Sequence, residues 1–166
     1  MSNDQLILLN LPEFEFAIKT EGQSKQIFDP VRKRFVTLTP EEWVRQHFLR
    51  YMTDFRSYPA SLLAVEKQVK VNNLNQRADI VAYNRNGKPW LLVECKAPSV
   101  SINHDTFLQA ARYNLSLNVP FFALTNGLEH FCLFFNFATQ IKVFSRKHFP
   151  NHLLSRNTIP YDLHDN

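Results

Sequence analysis

Residues 77–98, RADIVAYNRNGKPWLLVECKAP, place the tightest limits on what this chain can fold into. Two apolar, strand-like runs, 79–84 and 89–97, flank Asn86-Gly87. That dipeptide favours a two-residue hairpin turn, because both of its residues tolerate positive φ. With Asn86 and Gly87 as the loop, Arg85 faces Lys88, and the numbers of each facing pair add to 173. Asp79 then lies opposite Glu94, and Arg77 opposite Lys96. Strand side chains alternate faces, so the spacing predicts that Asp79, Glu94 and Lys96 share one side of the sheet. Facing residues on one side have Cβ atoms roughly 4.5–5.5 Å apart, where like charges repel. Two carboxylates at that separation are suited to holding a divalent cation between them.

A structural alternative is a salt-bridged surface tetrad of Arg77, Asp79, Glu94 and Lys96, worth only about 0–1 kcal/mol per exposed pair. The neighbouring residues argue against it. Val81, Trp90 and Leu92 lie on the face of the charges in this register, and Ile80, Ala82, Leu91, Val93 and Cys95 fill the other. A strand apolar on both sides reads as central and covered.

The other segments supply an α/β framework. Residues 13–19, EFEFAIK, alternate as a strand. Residues 26–28 and 34–36 form a hairpin around Asp29-Pro30, with Arg32-Lys33-Arg34 a solvated basic turn or a phosphate contact through Lys33 and Arg34. Thr39-Pro40-Glu41-Glu42 starts a helix: Thr39 caps it, Pro40 takes the first position and Glu42 completes a capping box. That helix extends to about Tyr51 and turns Val44, Phe48 and Tyr51 inward. A strand follows at 62–71 with Glu66 on its solvated face, and then a polar loop at 72–76. Residues 104–117 have helical spacing, with Gln109 and Tyr113 one turn apart on one face and Arg112 on the same helix. Residues 120–125 are a buried strand, Asn126-Gly127 is a turn, and 130–137 and 140–144 are further strands. His148 and His152 have a metal-ligand spacing, but Pro150 interrupts the helix it would need.

At this point the motifs become recognisable. Asp79, fourteen intervening residues and Glu94-Cys95-Lys96 resemble the D…ExK signature of the PD-(D/E)xK nuclease superfamily. Gln109-Ala110-Ala111-Arg112-Tyr113 resembles the QxxxY motif that accompanies it. Residues 38–127, including TPEEWVRQ, RADIVAYN, LVECKAP and LTNG, look like the N-terminal nuclease domain of type I restriction enzyme R proteins. One departure is Ala78, where the pattern has proline before the aspartate.

The resemblance implies a restriction-endonuclease-like αβββαβ core with a mixed central sheet. Here it carries an N-terminal β-hairpin extension (1–38), a core (39–127) and C-terminal strands and tail (128–166), all in one domain. It further implies an endonuclease that hydrolyses DNA phosphodiesters with Mg²⁺, for which Mn²⁺ substitutes. Asp79, Glu94 and the backbone carbonyl of Cys95 would bind the ion, with Glu42 a further acidic candidate on the first helix. Lys96 would orient or deprotonate water or neutralise charge on phosphate, and Gln109 and Tyr113 would position Lys96 or the nucleic acid. Arg77, Arg112, Lys33 and Arg34 are candidate phosphate contacts.

Composition is compatible with this. A net charge of +4 and a pI near 9.2 lean toward a polyanionic partner. The two cysteines, Cys95 and Cys132, sit in apolar strand patterns and suit reduced core residues of a cytoplasmic protein better than a disulfide or zinc framework. The N-terminus lacks signal-peptide character, and no run approaches a membrane span. The chain has three glycines and no phosphate-binding loop, so an associated motor or modification subunit would be a separate partner. A non-cleaving nucleic-acid-binding or assembly module, and a structural protein that binds no nucleic acid, are the alternatives. The first predicts salt-sensitive DNA binding without turnover; the second predicts neither DNA nor metal binding.

Overall fold

The computed structural model describes residues 6–71, 74–103, 105, 107, 119–136 and 140–144. Near the N-terminus, β1 (Ile18–Glu21), β2 (Ser24–Asp29) and β3 (Arg34–Thr37) form an antiparallel meander. The expected hairpin is present within it, with Ile27 facing Val36 and Phe28 facing Phe35. The strand expected over 13–19 begins only at Ile18. Phe14 and Phe16 do point inward alternately, but onto a helix instead of a neighbouring strand. The Phe16 ring lies 4.6 Å from His47 and 5.3 Å from Trp43.

That helix, α1, spans Pro40–Phe55. Thr39 Oγ1 accepts the Glu42 N–H at 3.0 Å, and Pro40 sits in the first turn, where its missing donor costs nothing. The reciprocal half of the capping box is absent. The Thr39 N–H donates to the Thr37 carbonyl instead, and the Glu42 carboxylate is turned toward arginines. α1 also runs a turn past Tyr51, because Met52 is buried and Phe55 packs 6.1 Å from Tyr51 and 6.0 Å from Phe14.

Val44, Phe48, Leu49 and Met52 of α1 cover one face of a six-stranded sheet. Its strands are β4 (Leu63–Val71), β5 (Leu74–Tyr83), β6 (Pro89–Cys95), β7 (Phe121–Thr125), β8 (His130–Asn136) and β9 (Gln140–Phe144), in that order. β6 and β7 are parallel and the other neighbours antiparallel, so the sheet is mixed, as expected. Ile80, Ala82, Leu91, Val93 and Cys95 join α1 in the first core cluster. Val81, Leu92, Phe122, Leu124 and Leu133 join Ile102 and Phe107 in a second. The central strands are therefore covered on both faces, and a fully buried side chain such as Phe48 contributes about 1.5–3 kcal/mol. Cys95 and Cys132 are buried free thiols. Among the described residues no helix is long and apolar enough to cross a membrane.

Two expected loops are corrected. Residues 74–76 belong to β5, with Leu74 paired to Val71, so pairing with β4 overrides their polar composition. The central hairpin does not close on two residues. Its connection spans 84–88, and only Gly87 takes positive φ, at 71°. Asn84 Oδ1 accepts the N–H groups of Asn86 and Lys88, each at 3.0 Å, a side-chain turn that needs no left-handed asparagine. A register shift between Ala82 and Tyr83 compensates for the longer loop, so Ile80 still faces Val93 and Ala82 faces Leu91.

At the β7–β8 turn Gly127 has φ 84°, and its carbonyl accepts the Asn10 N–H at 2.7 Å. A Cβ there would stand 2.7 Å from Leu9 Cδ2. Gly127→Ala is expected to cost about 1–3 kcal/mol through backbone strain and this overlap. The denaturant midpoint measures it, and an unchanged midpoint would contradict the docking of Leu9.

Candidate active site

The polar site forms where β5 and β6 leave their apolar ladder. The regular pairs end at Ile80↔Val93, and beyond them the Cys95 N–H donates to Asp79 Oδ2 at 2.7 Å. Asp79 Oδ1 accepts from Arg45 Nη2 of α1, also at 2.7 Å. Ala78 packs in the second core cluster and Ile80 in the first, so side-chain alternation reverses at Asp79. This corrects the simple face assignment: Asp79 is engaged by the helix, whereas Val81 and Leu92 pack on the opposite side. Across the sheet, Glu66 has φ 52° and falls between the regular pairs Val65↔Ile80 and Lys67↔Ala78. A non-glycine residue in that conformation stores on the order of 1–3 kcal/mol, and such strain gathers at functional sites.

Glu94 and Lys96 complete the polar group. Lys96 Nζ lies 2.7 Å from Glu94 Oε1, and both side chains are about one-third exposed, Lys96 at 38% and Glu94 at 32%. Burial and then the charge of Asp79 push the Glu94 carboxyl above its ordinary pKa, and the Lys96 ammonium only partly offsets them. Burial alone would lower Lys96, but Glu94 first and then Asp79 and Glu41 raise it. The Lys96 N–H is fixed by the Thr125 carbonyl of β7 at 2.8 Å. Asp79, Glu94 and Lys96 thus act on one another electrostatically at one end of the central strands. Among the described residues no group of three or more His, Cys, Asp or Glu could hold a metal ion.

A second layer of charge supports Asp79, and the sequence did not reveal it. Arg32, on the expected solvated turn, is instead largely enclosed. It bonds Asp29 Oδ2 at 2.6 Å, Glu66 Oε2 at 2.7 Å and Glu42. Arg45 reaches Glu42, Glu41 at 3.0 Å and Asp79. Its charge is opposed by burial but held in place by Asp79 and Glu42, which raise its pKa. Glu66 accepts from Arg77 at 2.6 Å, so it is not a merely solvated strand residue. Glu42 is buried, and its oxygens take Arg32, Arg45 and Gln46. The first-helix acid that shares Arg45 Nη2 with Asp79, and whose charge reaches Glu94 and Lys96, is Glu41. Lys33 and Arg34 are exposed, and so is Arg77 apart from its bond to Glu66. Gln109, Arg112 and Tyr113, like His148 and His152, lie outside the described residues.

This geometry can be set beside known proteins. Residues 40–153, more than two-thirds of the chain, match the family described as Type I restriction enzyme R protein N terminus (HSDR_N). The chain belongs to that family. Among solved structures, this family member is similar to a fragment assigned to the HsdR subunit of a type I restriction enzyme from Vibrio vulnificus YJ016. The two share 22% identity with a TM-score of 0.46, over 70% of this chain and 24% of the other. The HSDR_N chain therefore spans about a quarter of the length of that solved chain. No curated protein matches it.

Proposed function

We propose that this HSDR_N domain hydrolyses DNA phosphodiesters as a metal-dependent endonuclease, working in the cytoplasm with motor or modification partners. What supports the reading is that Lys96 Nζ lies 2.7 Å from Glu94 Oε1 while the adjacent Cys95 N–H donates to Asp79 Oδ2, at the same end of β6. Arg45 and Lys96 each approach one of these acids, and burial first and the Asp79 charge second raise the Glu94 carboxyl. The all-oxygen donor set of Asp79, Glu94 and the Cys95 carbonyl would suit Mg²⁺ or Mn²⁺. A bound ion supplies Lewis-acid polarisation of the phosphate and acidifies a water molecule.

The chain's own groups do the remaining work. The Glu94 carboxylate holds Lys96 as an ammonium, which neutralises charge gathering on the phosphate. Gln109 and Tyr113 position Lys96 or the nucleic-acid backbone, while Lys33, Arg34, Arg77 and Arg112 contact phosphates. DNA affinity consequently falls with rising salt.

Purified protein is expected to nick or cut plasmid DNA with Mg²⁺ or Mn²⁺. Asp79→Ala, Glu94→Ala and Lys96→Ala are each expected to reduce the rate about 10²–10⁴-fold. Metal-dependent cleavage that survives all three substitutions would exclude this site. The Arg45–Asp79 ion pair favours a second reading, a DNA-binding module that does not cleave. That reading predicts salt-sensitive binding with no turnover under any metal.

A further inference from the structure

Asp79 is held from two directions by donors that differ in kind. The Cys95 N–H belongs to the sheet and fixes Oδ2, while Arg45 belongs to α1 and fixes Oδ1. A carboxylate has roughly four lone-pair sites, so this pair of donors orients its plane and leaves about two sites open. Arg45 is itself immobilised: it is 4% exposed, its Nη1 is bound to Glu42, and its Nη2 is shared between Glu41 and Asp79. We propose that Arg45 is a positioning residue that aims the Asp79 carboxylate so its free lone pairs meet a divalent cation beside Glu94. This rests on the nuclease reading above and names a residue through which the first helix acts on the site.

Charge and geometry can be separated here. The guanidinium is a rigid fork able to hold Glu42 and Asp79 at once, whereas a lysine ammonium is a point donor on a flexible stem. Arg45→Lys keeps the positive charge and removes the fork. A loss of metal affinity in this variant therefore reports orientation and not Coulomb attraction. Groups that orient metal ligands from behind typically alter affinity 10–100-fold.

The test is Mn²⁺ affinity measured by isothermal titration calorimetry on the full chain without DNA, alongside the metal dependence of cleavage. Arg45→Lys is expected to weaken Mn²⁺ binding at least about tenfold. It should raise the half-saturating metal concentration equally and leave the rate at saturating metal within a few-fold of wild type. Arg50→Lys, whose partner Asp54 is exposed, should bind as wild type does. Should Arg45→Lys fail to fold, Arg45→Gln takes its place. Removing a positive charge alone would tighten binding, so weaker binding there still reports orientation, and tighter binding overturns the proposal. If Asp79→Asn loses the ion while both Arg45 variants bind as wild type, the Arg45 proposal alone falls. If Asp79→Asn binds Mn²⁺ normally, the nuclease reading and this proposal fall together.

Discussion

Glu94→Gln is expected to lower Mg²⁺-dependent cleavage about 10²–10⁴-fold while the metal-free protein melts no lower than wild type at neutral pH. The two effects share a cause. Glu94 is partly buried beside a second carboxylate, and its pKa is raised even with Lys96 at 2.7 Å, so its ionised form is disfavoured in the folded state. For an acid whose folded pKa exceeds the ordinary 4.5, the stability it contributes is fully present below that value. It is lost as pH rises through the raised folded pKa. Glutamine keeps the shape, stays neutral and escapes that loss. Thermal midpoints in EDTA should therefore diverge in favour of the variant as pH rises from 4.5 toward neutrality, then stay parallel. A variant that melts several degrees lower at pH 7.5 would mean that the Lys96 pair outweighs burial and repulsion, so that folding favours the ionised Glu94.

How much of this could be read from the chain depends on the range of each interaction. The 173 register of the central hairpin was legible because alternation and Asn-Gly spacing are local signals, and it persists at Ile80↔Val93 although the turn itself differs. The longer connection was hidden because Asn84 and Asn86 carry the same chemistry, and only packing decides which of them organises the turn. Thr39-Pro40 announced α1 for the same local reason. The guanidinium layer was not legible. Arg32 reaches Glu66 across 34 positions, and Arg45 reaches Asp79 across another 34, separations that no periodicity encodes. Glu66 at positive φ carries no sequence mark either, since glutamate gains nothing intrinsic there. The acidic pair at the helix start shows the limit most clearly. Glu41 and Glu42 are adjacent and chemically alike, yet one is sealed among arginines and the other extends the site's field.

Arg32→Ala is expected to be among the most destabilising single changes, at about 3–5 kcal/mol, because it removes a cation from an enclosed group of charges. Five carboxylates, Asp29, Glu41, Glu42, Glu66 and Asp79, face three guanidiniums, Arg32, Arg45 and Arg77. Asp29 is wholly buried and Glu42 nearly so, and neither can recover water when Arg32 is lost. Asp29 keeps the Val31 and Arg32 N–H groups and Gln46, but it loses the 2.6 Å guanidinium contact. For a chain of this length the loss corresponds to a midpoint lowered by about 6–20 °C. Arg32→Lys, which keeps the charge but cannot span three acids, should fall between the two. Asp29→Asn in the Arg32→Ala background should restore part of the loss, because the wholly buried Asp29 carboxylate is the one partner in this group left facing no guanidinium. Urea unfolding of the four proteins, wild type, both singles and the double, measures that coupling. If Arg32→Ala cost less than about 1 kcal/mol, the cluster would be behaving as a solvated surface network. The coupling of the N-terminal meander to α1 and Asp79 through Arg32 and Glu42 would then have no energetic basis.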